Sequence, residues 1–165
     1  MFRHRCWLSL AIVGSVAALG LVSAAAADST GTFAVGGGFA VGSGVTKHFA
    51  FSAHQTSSTT LAASGYAVEE QIDPTGAFGD FRLQGPVQCV RVVGNHAIIG
   101  LTIEKGSGTA VGHVGEAFYL VADDGGGVTP DTFDNSGYTG TTTVDCNFDG
   151  TTNGVVTQGN ILVRQ

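Results

Sequence analysis

A chain of 165 residues with 26 glycines and 3 prolines has room for one domain with one sizeable core. Its thirteen acidic residues outnumber seven basic ones, for a formal net charge of −6. Such a surface repels phosphate backbones and anionic lipid headgroups, which argues against nucleic-acid and membrane-surface roles.

The chain begins Met1-Phe2-Arg3-His4-Arg5, runs through apolar residues from Trp7 to Val22, and reaches Ser23-Ala24-Ala25-Ala26-Ala27 before Asp28. A basic start, a short apolar stretch and small residues spaced A-x-A predict a signal peptide over 1–27, cleaved after Ala27. The apolar run is shorter than the roughly 20 residues of a membrane span and ends without a basic stop. His4 separates Arg3 from Arg5, so there is no twin arginine, and Cys6 lies too early for a lipoprotein site. The expectation is therefore a product outside the cytoplasm, secreted or held at the cell surface, with no membrane contact after cleavage. Without Arg3 and Arg5 it carries five basic residues against thirteen acidic ones, a balance of −8.

Residues 28–44 are rich in glycine and echo themselves as Phe33-Ala34-Val35-Gly36-Gly37-Gly38 and Phe39-Ala40-Val41-Gly42-Ser43-Gly44. Glycine loses much backbone entropy on ordering, so a flexible arm or a frayed edge strand is expected here. No Gly-Lys-Ser or Gly-Lys-Thr follows, which excludes a phosphate loop.

From 45 to 165 the apolar residues alternate and are punctuated by glycine, the pattern of short paired strands. Val45 to Ala53 places Phe49 and Phe51 on one face. Tyr66–Ile72 and Phe78–Leu83 flank the turn signal Asp73-Pro74-Thr75-Gly76 and form a hairpin. Pro86 to Val93 and His96 to Ile103, joined by Gly94-Asn95, form a second hairpin whose apolar content suggests central strands. Further strands are predicted at Ala117–Ala122, Thr141–Cys146 and Val155–Val163.

With no capped amphipathic helix after residue 27, the fold is predicted to be all-β, an antiparallel sandwich or a closed barrel. Cys89 and Cys146, an even pair in an oxidising compartment, are predicted to form a disulfide. Strict alternation puts Cys89 on the face of Val87 and Val93, which would place that bridge at the core.

Several segments together carry a resemblance: Gly36-Gly37-Gly38, Phe49 to His54, Gly85 to Val90, Val93 to Ala97, Asp123-Asp124-Gly125 with Asp131-Thr132-Phe133, and Gly159 to Val163. The chain resembles a family of uncharacterised exported bacterial β-domains, found alone or behind other exported modules. The resemblance spans most of the chain after the signal and implies a fold; it implies no catalytic residue. The stretch 135–143 is looser than that family's usual strand after Asp-Thr-Phe.

The residues that could carry chemistry do not assemble into a motif. His48, His54, His96 and His113 show neither HxH nor HExxH spacing, and His48 and His54 lie nearly 20 Å apart along a strand. No G-x-S-x-G surrounds a serine, and Ser43 and Ser107 sit in Gly-Ser-Gly turns. Glu69 and Glu70 point to opposite faces of a strand, so they cannot flank one glycosidic bond; Glu104 and Glu116 are a further carboxylate pair. Tyr66, Tyr119 and Tyr138 are the only tyrosines for a sugar platform, and the lone tryptophan, Trp7, leaves with the signal. Asp145-Cys146-Asn147-Phe148-Asp149-Gly150 matches the opening of a calcium loop, but its twelfth position is Val156 where a bidentate glutamate is needed.

The expectation is a non-catalytic exported β-domain, neither enzyme nor cofactor carrier, that acts as a structural or interaction module toward an extracellular partner. The alternative is a barrel for a small apolar molecule, with a cavity lined by Phe49, Phe51 and Phe118.

Overall fold

The computed structural model describes residues 31–165, and the signal segment 1–27 with the expected mature start at Asp28 lies outside the described residues. Nine strands follow one another: β1 Phe33–Gly42, β2 Val45–Gln55, β3 Ala63–Ile72, β4 Phe81–Val93, β5 His96–Thr102, β6 Lys105–Gly108, β7 Ala117–Asp123, β8 Thr132–Tyr138 and β9 Gly154–Arg164. One turn of 3-10 helix, Thr109–His113, separates β6 from β7.

Every pairing is antiparallel, in the order β3-β2-β1-β9-β8-β7-β5-β4, and β3 pairs back onto β4. Of the two architectures that alternation allows, the chain adopts the closed eight-stranded barrel. β6 lies alongside the first half of β4, where β5 has ended. The predicted hairpins are present. Val93 pairs with His96, leaving Gly94-Asn95 as a two-residue loop with Gly94 at φ 63°, the positive angle a primed turn requires.

The lumen is filled by alternate side chains of the wall, among them Phe49, Phe51, Leu83, Val90, Ile99, Leu101, Phe118, Leu120 and Ile161. Phe133 stacks on Phe49 at 3.9 Å between ring centroids, with an interplanar angle of 8°. Room for these rings comes from β1. A Cβ at Gly36 would stand 2.8 Å from the Phe51 ring and 3.0 Å from Ile161. From Phe33 to Gly42 the glycine-rich segment is thus neither a flexible arm nor an edge: β1 is hydrogen-bonded on both sides, to β2 and to β9. Two ladders and the aromatic packing above it offset the entropy glycine loses.

Outside the lumen there is a second, smaller core. Ile98, Ala117 and Tyr119 on the outer face of the wall pack against Cys89, Cys146, Val144 and Phe148, beneath the long connection 139–153. The bridge is formed, with Sγ–Sγ 2.06 Å and Cα–Cα 6.1 Å. It does not sit in the main core, because the register of β4 slips between Val87 and Cys89. This bulge reverses the alternation: Val87, Val90 and Val92 face the lumen, while Cys89 turns out. The predicted strand Thr141–Cys146 is likewise replaced by irregular backbone. The outer face of β5 and β7 presents side chains rather than a free strand edge, so this segment is held by the disulfide, by Ala117 N–H to Thr141 O (2.6 Å) and by Asp145 N–H to the Tyr119 hydroxyl (2.8 Å).

Candidate functional site

One end of the lumen is polar. The parity that turns Val45, Phe49, Phe51 and Ala53 of β2 inward also turns Lys47 inward, and on β3 it does the same for Ala67, Glu69 and Gln71. The Lys47 ammonium pairs with the Asp134 carboxylate of β8. The Asn135 side-chain amide donates to Glu69 Oε1 at 2.5 Å, while Asp134 Oδ2 accepts the backbone N–H of Asn153 at 3.2 Å. Glu69 is wholly buried, and its Oε2 has no hydrogen-bond partner among the described residues. Burial pushes its carboxyl up to about 7, against the opposing pull of Lys47 and Asn135.

Above this cluster opens a cavity of about 270 Å³, lined by Ser43, Lys47, Gln71, Phe78, Asp134 and Asn135 among others. Ser43 occupies the β1–β2 turn at φ 51°, a left-handed conformation uncommon for serine. Phe78 stands at the cavity with 62% of its surface exposed. Its loop is fixed by Asp73, whose carboxylate accepts backbone N–H groups of Thr75, Gly76, Phe78 and Gly79 and the Thr75 hydroxyl. The Thr75 hydroxyl and these backbone donors hold the Asp73 carboxyl down at about 2. Gln71 donates to the Gly79 carbonyl at 3.2 Å, tying the same loop to the lumen.

The histidines are dispersed. His48 packs edge-on against Phe39, and His54 lies on Phe33. His96 Nδ1 meets Asp123 Oδ1 at 2.6 Å. Burial pushes the Asp123 carboxyl up, but hydrogen bonds from Thr152, His96 and Thr132 outweigh it and hold it below its usual range. His113 stacks flat on Tyr138 at 3.8 Å and meets Glu116 Oε2 at 3.0 Å. Among the described residues no group of three or more His, Cys, Asp or Glu gathers where a metal ion could sit.

The acidic candidates are engaged locally. Glu69 is buried and Glu70 stands half-exposed beside His48, as opposite faces of a strand require. Glu104 accepts the Tyr66 hydroxyl at 2.8 Å, and Glu116 accepts the Gly140 N–H at 3.0 Å. In the calcium-like turn Asp145 Oδ1 accepts both the backbone and the side-chain N–H of Asn147, and Asp149 stands 99% exposed beside Arg91. Tyr119 lies in the outer core against Phe148, and Tyr138 packs on Phe81 and Phe118. Phe49, Phe51 and Phe118 are packed core residues.

Sequence reasoning did not single out Lys47, Gln71, Asp134 or Asn135. The usable signal was parity: Lys47 stands two residues before Phe49, and Gln71 two after Glu69, so each shares its neighbour's face. No family model, curated protein or solved structure matches the chain.

Proposed function

We propose that the mature protein is an exported, non-catalytic β-barrel module that works by binding outside the cytoplasm. The observation that carries this reading over the apolar-ligand alternative is the filling of the lumen: Phe49, Phe51 and Phe133 occupy with one another the space an apolar guest would need. The disulfide suits an oxidising compartment, and the family resemblance points the same way. Among the described residues the one serine hydroxyl that meets a histidine is that of Ser52, 3.0 Å from His54 Nε2 on the exposed side of the same strand, while His96 and His113 meet carboxylates instead.

The test has two arms. N-terminal sequencing of the protein recovered from the culture medium or cell surface should start at Asp28, and an intact Trp7 on a membrane-bound product would overturn the export reading. Titration of the purified mature domain with an environment-sensitive fatty-acid probe should show no saturable rise in emission. A saturable rise at one probe per chain would establish the apolar-ligand alternative instead.

A further inference from the structure

We propose that the polar mouth of the barrel binds one ring of a neutral sugar, held by Ser43, Lys47 and Gln71 and stacked on Phe78. The proposal deepens the binding-module reading by naming the ligand chemistry, and rests on it only in that the sugar is left unchanged.

Size comes first. A cavity of about 270 Å³ lies just below the range typical of drug-sized ligands, which suits a single ring. Charge comes second. The lining presents one ammonium already balanced by one carboxylate, so a free cation or a free anion gains little net attraction. A neutral polyol brings a donor and an acceptor on each hydroxyl, and the lining has capacity for both. Lys47 carries three N–H donors and gives one to Asp134. Gln71 spends an N–H on Gly79, and among the described residues its carbonyl oxygen meets no donor. Ser43, exposed at the rim, adds a hydroxyl able both to donate and to accept.

A further observation favours a ligand over a purely structural cluster. Phe78 is a large apolar ring left 62% exposed on a loop anchored by five hydrogen bonds to one carboxylate, so it is a fixed platform rather than a frayed end. Ser43 and Gly44 form the two-residue β1–β2 loop, both at positive φ as a primed turn requires, and this turn sets Ser43 at the cavity rim. Glu69 lies behind this lining, a buried carboxyl whose Oε1 accepts the side-chain amide of the cavity residue Asn135 and whose Oε2 has no partner among the described residues.

The experiment is a nitrogen–proton correlation spectrum of the disulfide-intact mature domain, titrated with methyl glycosides of glucose, galactose, mannose and N-acetylglucosamine. Putrescine, citrate and cyclohexanol serve as cationic, anionic and apolar probes. At least one glycoside should move the amide resonances of Ser43, Lys47, Asn135 and Gly137 saturably, and the three other probes should not. Phe78→Ala, a change at an exposed position, should weaken that binding about tenfold while the rest of the spectrum is unchanged. The proposal is overturned if no glycoside moves these resonances, if a charged or apolar probe moves them instead, or if Phe78→Ala binds as well as the parent. A glycoside that binds here and is then consumed would leave the site standing and overturn the non-catalytic reading.

Discussion

The Asp131 carboxylate stands in for a neighbouring strand beside Ile161, whose backbone N–H it accepts at 2.6 Å. β8 pairs with β9 only at Thr132↔Val155 and Phe133↔Gly154. Beyond that point Val156 donates to the Asp131 backbone carbonyl, and two later N–H groups of β9 are met by acidic side chains, Ile161 by Asp131 and Val163 by Asp124. The other Asp131 oxygen accepts the N–H of Gly125 at 2.9 Å, so one carboxylate ties the β7–β8 loop to the last strand. Asp131→Ala should cost about 2–3 kcal/mol by urea unfolding, because it strands two donors. Asp131→Asn, which keeps one acceptor, should fall between it and the parent. Equal stability of Asp131→Ala and parent would show that solvent replaces the carboxylate without loss.

Acid and base should act on stability through different carboxyls. Glu69 holds its proton more tightly folded, at about 7, than the ordinary 4.5, so its contribution is complete below pH 4.5 and is lost as pH rises through 7. Asp73 is the opposite case: held at about 2 instead of 3.8, it stabilises above 3.8 and the benefit disappears as pH falls through 2. Stability should therefore peak at mildly acidic pH. Between about pH 5 and about pH 8 the loss from Glu69 should be on the order of 2 kcal/mol. Urea midpoints across that range measure it, and Glu69→Gln should flatten the slope. A parent profile already flat from 5 to 8 would mean that Lys47 keeps Glu69 ionised throughout.

The disulfide closes a separation of 57 residues. Replacing both cysteines by alanine should cost up to about 4 kcal/mol in the chain-entropy account. Because the bridge lies outside the lumen, the loss should be uneven. Amide exchange should accelerate through 139–153, while β1, β2 and β9 keep their protection relative to global unfolding. Uniform acceleration would indicate that the outer core and the barrel unfold as one unit.

At Gly100, on β5, the outer connection presses close to the wall. A Cβ there would come within 2.5 Å of Val144, 2.6 Å of the Cys89 sulfur and 3.0 Å of the Tyr119 ring. In a free strand Gly→Ala would stabilise by roughly 0.5–1 kcal/mol; here it should destabilise by about 1–3 kcal/mol. In the chain lacking both cysteines, Val144 can lift away and the penalty should shrink. A double-mutant cycle on thermal or urea unfolding reads that coupling directly, and a cost unchanged without the disulfide would place the clash elsewhere.

Strand existence was legible because alternation and turn chemistry agree at the same places, as at Asp73 to Gly76 and at Gly94-Asn95. Cys89 shows how one residue defeats that logic. Counting by two from Val87 puts it inside, and only the register slip at Gln88 reveals that it faces out. Gly36 shows another blind spot, since its local propensity opposes a strand and only Phe51 and Ile161, far along the chain, explain it. Thr141 to Cys146 has the composition of a strand but arrives where the wall has no edge to offer. Of the pairings that close the ring, β3 with β4 was announced by the turn at Asp73 to Gly76, whereas β1 with β9 joins the two ends of the domain and no single segment announces it. At the mouth, the parity of Lys47 and Gln71 was readable, whereas the meeting of Lys47 with Asp134, 87 residues away, and of Glu69 with Asn135, 66 residues away, depends on the closed ring.

The pairing of β1 with β9 makes a zipper of the first and last strands, running from Phe33↔Arg164 to Val41↔Val155. A nascent chain that has not yet delivered residue 154 and beyond therefore carries β1 with one side bare, a sticky ribbon of alternating small and apolar residues. Its own hairpin with β2 can form early, but the ring can shut only when the last strand arrives. Versions of the protein ending before Gly154 should accordingly fail by clumping rather than by fraying, and a peptide copying Gly154–Arg164, supplied separately, should slot in and restore them to solution.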